Sequence, residues 1–154
     1  EEDKTASVIG CYTNNTEIII PRLIKQESDE YIVTSISKGA FKNSSVLTIQ
    51  FSDDSELKMI ESESFDGSII ESITIPSKLK EFKEGWCINL NNLNIINISP
   101  MNPYFSVYED KLIIGKKSIE QQNYDHLVFC ARNVKTVKIP KFIKHICSYS
   151  FEKL

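Results

Sequence analysis

The sequence predicts a β-rich repeat solenoid, and three observations carry that reading. Ile49, Ile73 and Ile96 recur 24 and 23 residues apart, and Phe41 and Phe65 are again 24 apart. Each belongs to one of two short apolar motifs that alternate along the chain. Of the 154 residues 41% are hydrophobic, enough for one ordinary domain to bury a core without a metal or a disulfide framework.

The first motif has the form apolar-x-x-apolar-x-apolar, often closed by proline. Its copies are Val46, Ile49 and Phe51; Ile70, Ile73 and Ile75 before Pro76; Leu93, Ile96 and Ile98; and Val134, Val137 and Ile139 before Pro140, with Ile18, Ile20 and Pro21 as a partial first copy. Alternating β-branched residues suit a short strand with one buried face, and a proline after it stops the ladder because it donates no hydrogen bond.

The second motif places an apolar residue, then another three later, then a small residue and an aromatic. Val33, Ile36, Ala40 and Phe41 form one copy; Leu57, Ile60, Ser64 and Phe65 the next; Ile143, Ile146, Ser150 and Phe151 the last. Leu79, Phe82, Gly85 and Trp86 read as the same motif shortened by one residue. The aromatic turns back beneath the strand, so each coil closes around its own apolar residues. One coil cannot cover both of its ends. Stacking coils at the roughly 4.8 Å spacing of paired strands buries them, each fully buried side chain contributing about 1.5 to 3 kcal/mol. A parallel sheet on one face is therefore expected, with turns and short 3₁₀ segments on the other. Helix should be scarce, since no long segment has a 3.6-residue period.

Two insertions break the period. Residues 22–32 lengthen the first unit, and the polar run 25–30 reads as a protruding loop or hairpin tip. Residues 101–132 depart further, with strands expected at 104–108, 111–114 and 126–130 and turns at Glu109 and Asp110 and across 115–125. The whole of 1–154 is then one domain of about five to six coils, with 101–132 an enlarged unit within the stack. No polar cap follows Phe151, so the chain reads as a fragment of a longer repeat protein.

In this register the motifs resemble the BspA-like leucine-rich repeats of surface antigens of bacteria and parasitic protists. The resemblance rests on Ile73, Ile75, Pro76 and Leu79, on Val137, Ile139, Pro140, Ile143 and Ile146, and on the pairs Ala40-Phe41 and Ser150-Phe151. The stretch from Asn102 and Phe105 through Leu112 to Phe129 is similar to the longer looped unit of that family. The chain departs from the family where glycine often follows the second-half isoleucine (Ser37, Glu61 and Cys147 here) and where cysteine often lies three beyond the aromatic (Ser44, Ser68, Asn89 and Leu154). The resemblance implies an α/β-class leucine-rich repeat solenoid, β-rich, serving as a non-catalytic, extracellular or cell-surface adhesion module that binds host or matrix proteins or other cells. The alternative is an intracellular leucine-rich repeat scaffold for protein–protein interaction.

The remaining chemistry is sparse. A net charge of −3, with Lys78 and Lys80 alternating with Glu81 and Glu84, leaves no basic stripe for nucleic acid. The longest apolar runs fall far short of the roughly 20 residues a membrane span needs, and Glu1, Glu2, Asp3 and Lys4 begin no visible signal peptide. Cys11, Cys87, Cys130 and Cys147 have neither zinc nor redox spacing and read as free, mostly buried thiols. His126 and His145 have no nucleophile motif beside them, so no catalytic residue is assigned and the protein is not expected to be an enzyme. Asp53, Asp54 and Glu56 lack the spacing of a calcium loop and read as a solvated turn; no metal or cofactor is expected.

If the exposed sheet face binds a partner, the residues that flank the buried strand positions form the contact: Thr48, Gln50, Ser72, Thr74, Ile95, Asn97, Thr136 and Lys138. With few large aromatic or arginine anchors, they suit broad contact of modest affinity. Tyr104, Tyr108 and Tyr124 form a rival patch. Asn14, Asn43 and Asn97 lie in glycosylation sequons, and a glycan on Asn97 would cover the sheet.

Overall fold

A computed structural model describes residues 4–154, which contain thirteen strands and no helix. In chain order the strands are β1 (Thr5–Val8), β2 (Glu17–Ile20), β3 (Leu23–Gln26), β4 (Asp29–Ile36), β5 (Thr48–Phe51), β6 (Met59–Ile60), β7 (Ser72–Ile75), β8 (Glu81–Phe82), β9 (Ile95–Ile98), β10 (Phe105–Tyr108), β11 (Leu112–Gly115), β12 (His126–Cys130) and β13 (His145–Ile146).

The first motif builds sheet I, a parallel ladder in the order β2-β5-β7-β9. Ile18, Ile49, Ile73 and Ile96 pair in one row across it. Ile49, Ile73 and Ile96 are all buried, so the recurring isoleucines share one interior. The second motif builds a parallel ladder of its own, sheet II, in the order β1-β4-β6-β8, with Ile36, Ile60 and Phe82 in register. Sequence reasoning expected turns here. Two-residue strands such as β6 and β8 are too short to show the period-2 alternation that reveals a strand.

The third side of each coil is a row of turns. In the first complete one, Ala40 N donates to Ser37 O, Lys42 N to Gly39 O and Ser44 N to Phe41 O. These are successive β-turns rather than a 3₁₀ helix. Gly39 and Asn43 both have positive φ, which breaks the right-handed run, and the pattern recurs at Glu63 and Gly67, Gly85 and Asn89, and Tyr149 and Lys153. The turns stack directly, Gly39 N donating to Glu63 O and Glu63 N to Gly85 O. At Gly67 a Cβ would lie 2.6 Å from Asn43 Oδ1, so a larger residue there would displace the Asn43 side chain.

These left-handed positions correct the register of one coil. Counting from Ile36, Ile60, Phe82 and Ile146, Trp86 aligns with Ala40, Ser64 and Ser150, and Cys87 aligns with Phe41, Phe65 and Phe151. The unit is not shortened; it exchanges the large and small residues.

The insertion at 22–32 is the antiparallel hairpin β3-β4, with Glu27 at positive φ at its tip. The larger insertion is a meander in sheet III, where β10-β11 and β11-β12 are antiparallel and β12-β13 parallel. Glu109 and Asp110, both at positive φ, make its first turn. The meander partitions the interior. Phe105, Ile113, Val128 and Phe129 join the main core, while Leu112, Ile114, Leu127 and Cys130 form a second cluster with Val134, Val137, Ile143 and Phe151.

That partition overturns one expected strand. Residues 134–139 carry the first motif in full yet form no strand. β10 lies beside β9 without pairing to it, and Val137 packs on the second cluster while Val134 packs between the two, so the segment is drawn away from sheet I, which ends at β9.

Candidate functional site

Sheet I presents its outer face as predicted at six of eight positions. Thr48, Ser72 and Ile95 form one outward row, continued by Glu17, and Gln50, Thr74 and Asn97 form the other, continued by Ile19. Nearly all of the face is small or polar. Ile19 and Ile95 are its two large apolar groups, 66% and 56% exposed. Thr136 and Lys138 are exposed but stand in the segment that never joins the sheet. They belong to a different surface.

The sequon asparagines Asn14, Asn43 and Asn97 are exposed, and Asn97 pairs with Thr74 on the outward face. Cys87 and Cys130 are buried and Cys11 and Cys147 half-buried, all as free thiols. Burial pushes the Cys87 thiol up to about 12.

A concave feature, which sequence reasoning missed, lies where the meander meets sheet II. A cavity of about 700 Å³ is bounded by β8 on one side and by β10, the end of β11, β12 and β13 on the other. Its apolar surfaces include Phe82, Phe105, Val128 and Ile146, and Lys80, Lys116 and Lys117 also line it. Gly115 belongs to the wall: a Cβ there would sit 2.9 Å from the Phe105 ring and 3.2 Å from Val128. Tyr104 also lines the cavity, whereas Tyr108 packs edge-on to Phe142 at 5.6 Å and Tyr124 lies 5.2 Å beneath the Lys116 ammonium. Tyr104 packs against the main core and Tyr108 and Tyr124 both pack against the second cluster, so the rival tyrosine patch is divided between two environments.

Two polar residues, the buried Asn102 and the half-buried Arg132, hold this region in place, and neither belongs to a repeat column. Asn102 donates from Nδ2 to Pro76 O and Leu79 O, both at 2.9 Å, and its Oδ1 accepts from Tyr104 N and Phe105 N at 2.8 and 2.9 Å. All four hydrogen-bonding sites of the amide are used. Arg132 donates to Leu90 O, Ser150 O and Tyr149 O at 3.1, 2.8 and 2.9 Å and covers the Phe129 ring at 4.4 Å. Burial lowers its pKa from the ordinary arginine value.

The two histidines, far apart in sequence, stack at 4.5 Å because His126 and His145 pair across β12 and β13. His126 Nδ1 bonds Asp125 Oδ1 at 2.6 Å. A hydrogen bond from Gln121, and then one with His126, holds the Asp125 carboxyl below the usual carboxylate range against the opposing effect of burial. Among the described residues no cluster of three or more His, Cys, Asp or Glu side chains is placed to hold a metal. Nor, among the described residues, is any helix long and apolar enough to cross a membrane.

Comparison with known proteins agrees with this geometry. The pattern described as BspA type leucine rich repeat region matches residues 11–108 and 34–154, with six copies. No curated protein matches the chain by sequence. Among solved structures, the pneumococcal vaccine antigen PcpA is similar at a TM-score of 0.71 and 22% identity, over 88% of this chain and 30% of that one. A leucine rich cell surface protein from Faecalibacterium prausnitzii A2-165 aligns at a TM-score of 0.46 and 14% identity, over 91% of this chain and 61% of that one. The chain thus spans about 30% of the length of the vaccine antigen whose fold it shares. With its two parallel ladders, its stacked turns and a family pattern matched over most of its length, the chain belongs to the BspA-type leucine-rich repeat family.

Proposed function

We infer that the chain is a non-catalytic recognition module of a cell surface, and that it engages a protein partner through the outer face of sheet I. One observation carries this reading. Four parallel strands present a continuous face whose outward residues are small or polar around two exposed isoleucines, Ile19 and Ile95. Weakly charged faces bury area without desolvating ions, and isolated apolar side chains supply the anchors. Family membership and the shared fold of the pneumococcal antigen support placement at a surface.

The test is attachment of the purified chain to matrix proteins and to host cells, compared with the variants Ile19→Glu, Thr74→Lys and Ile95→Glu. Their side chains point to solvent, so the fold should persist, and circular dichroism checks it. Attachment lost in all three supports the face as the site; attachment unchanged by all three removes it.

A further inference from the structure

The parallel ladder of sheet II stops at β8 although the coil does not. In the ladder between β6 and β8, Glu81 N donates to Lys58 O and Lys83 N to Ile60 O. Phe82, between them, therefore turns its own N–H and C=O to the opposite edge, together with Lys80 O. In every earlier coil the corresponding groups are taken by the next strand: Ile36 O accepts from Glu61 N, and Ile60 O from Lys83 N. The strand with that register after β8 is β13, but β13 bonds elsewhere. His145 N donates to Asp125 O and Cys147 N to Leu127 O, because β12 has taken the place of the preceding coil. Phe82 N, Phe82 O and Lys80 O have no hydrogen-bond partner among the described residues. Both residues line the 700 Å³ cavity.

The turn row does not share the gap. Cys87 Sγ lies 3.7 Å from Tyr149 O, and Asn89 N donates to Glu152 Oε2 at 2.7 Å, so the coils on either side are in direct contact there. The meander has spread the two coils on the strand side alone.

We propose that this cleft is a binding site for an extended segment of a partner polypeptide, which adds as a parallel strand to β8 by donating to Phe82 O and Lys80 O and accepting from Phe82 N. Such augmentation takes its affinity from main-chain bonds and its selectivity from alternate side chains. Alternate residues of the segment would face Phe105, Val128 and Ile146 and should be apolar. Those between them would face the rim, where lysines outnumber carboxylates: Lys80, Lys83, Lys116 and Lys117 against Glu81 and Glu84. Lys83 is engaged by Glu81 at 2.8 Å, while Lys80, Lys116 and Lys117 make no ion pair among the described residues. This local excess of positive charge, in a chain of net charge −3, selects an acidic segment. The site is separate from the outer face of sheet I.

The experiment is titration of the chain with an N-acetylated, C-amidated hexapeptide of alternating glutamate and valine. The Phe82 amide is followed by NMR and hydrogen exchange, and Trp86, the single tryptophan and a lining residue, by fluorescence. Saturable binding is expected, with exchange of the Phe82 amide slowed by at least about tenfold. The same peptide N-methylated at alternate residues, the lysine–valine peptide, and the doubly substituted chain Lys116→Glu/Lys117→Glu should each bind at least about tenfold more weakly. The Thr74→Lys variant should bind the peptide normally, which keeps this test independent of the sheet I reading. An unchanged Phe82 amide at millimolar peptide overturns the proposal. Equal binding by the peptide and its N-methylated form also overturns it, since attraction to surface lysines alone would then suffice.

Discussion

Trp86 and Cys87 hold, in reversed order, the small and aromatic positions that the coils of Ala40-Phe41, Ser64-Phe65 and Ser150-Phe151 keep in the other order. The exchange lets the indole reach three rings, with centroids 4.4 Å from Phe82, 5.4 Å from Phe129 and 6.2 Å from Phe65. It thereby joins the aromatic row begun by Phe41 and Phe65 to the meander. The indole N–H, however, is buried without a partner.

The first prediction follows from that balance. Trp86→Ala should cost about 3 to 5 kcal/mol in denaturant unfolding, as expected for a large core aromatic. Trp86→Phe should stay within about 1 kcal/mol of the parent, because the lost area is offset by removal of an unsatisfied donor. The double variant Trp86→Ser/Cys87→Phe, which restores the order of the other coils, should be more stable than Trp86→Ser alone by about 1 kcal/mol or more. A double variant no better than the single one would show that the two positions are not exchanged.

Asn102 ties the turn after β7 to the start of the meander through four hydrogen bonds. Asn102→Ala leaves two carbonyls and two amides unpaired and should destabilise by about 2 to 4 kcal/mol. Asn102→Asp should be worse at neutral pH, since a carboxylate would face the carbonyls of Pro76 and Leu79. That arrangement raises the folded pKa, so the penalty should shrink as pH falls and the acid is protonated. Unfolding midpoints of the two variants across pH test both statements.

Hydrogen bonds from Asn89 and then from Lys42 hold the Asp66 carboxyl below the usual carboxylate range. The three residues belong to successive turns, Lys42 Nζ lying 3.0 Å and Asn89 Nδ2 2.8 Å from the carboxylate. A depressed folded pKa contributes stability that is complete above the unfolded value, about 3.9, and is lost as pH falls through the folded one. Asp66→Asn should therefore be less stable than the parent at neutral pH and close to it below that window. Denaturant midpoints from neutral pH down to about 2 measure the convergence.

Arg132 bridges the coil of Leu90 to the final turn at Tyr149 and Ser150. Lysine keeps the charge but cannot present a planar fork to three carbonyls. Arg132→Lys should cost about 2 to 3 kcal/mol. The loss should be local: the amides of Cys147 and Cys130, which donate to Leu127 O and Ser150 O, should lose exchange protection before those of sheet I.

Much of this architecture was legible because it repeats. Ile49, Ile73 and Ile96 showed the period, and the turn residues Glu109 and Asp110 placed the meander strands. The failures share a cause, which is that identical local patterns can have different neighbours. Residues 134–139 match the strand motif of 70–75 fully, yet the second cluster built by the meander draws Val137 away from sheet I, which ends at β9. Thr136 and Lys138 left the candidate face for that reason. Trp86 was matched by its aromatic character, whereas register is set by the positive-φ residues Gly85 and Asn89. The cleft beside β8 had no signal at all in the sequence, because it arises from which strand β13 chooses as its partner.

Methyl–methyl NOE spectroscopy on the isoleucines of the three central coils tests the shared interior most directly. Stacked coils place Ile49 beside Ile73 and Ile73 beside Ile96, each pair about one strand spacing apart, roughly 4.8 Å. Cross-peaks within both pairs, and none between Ile49 and Ile96, are the predicted result. Absence of the Ile49–Ile73 and Ile73–Ile96 cross-peaks in the folded protein would contradict the solenoid and every surface derived from it.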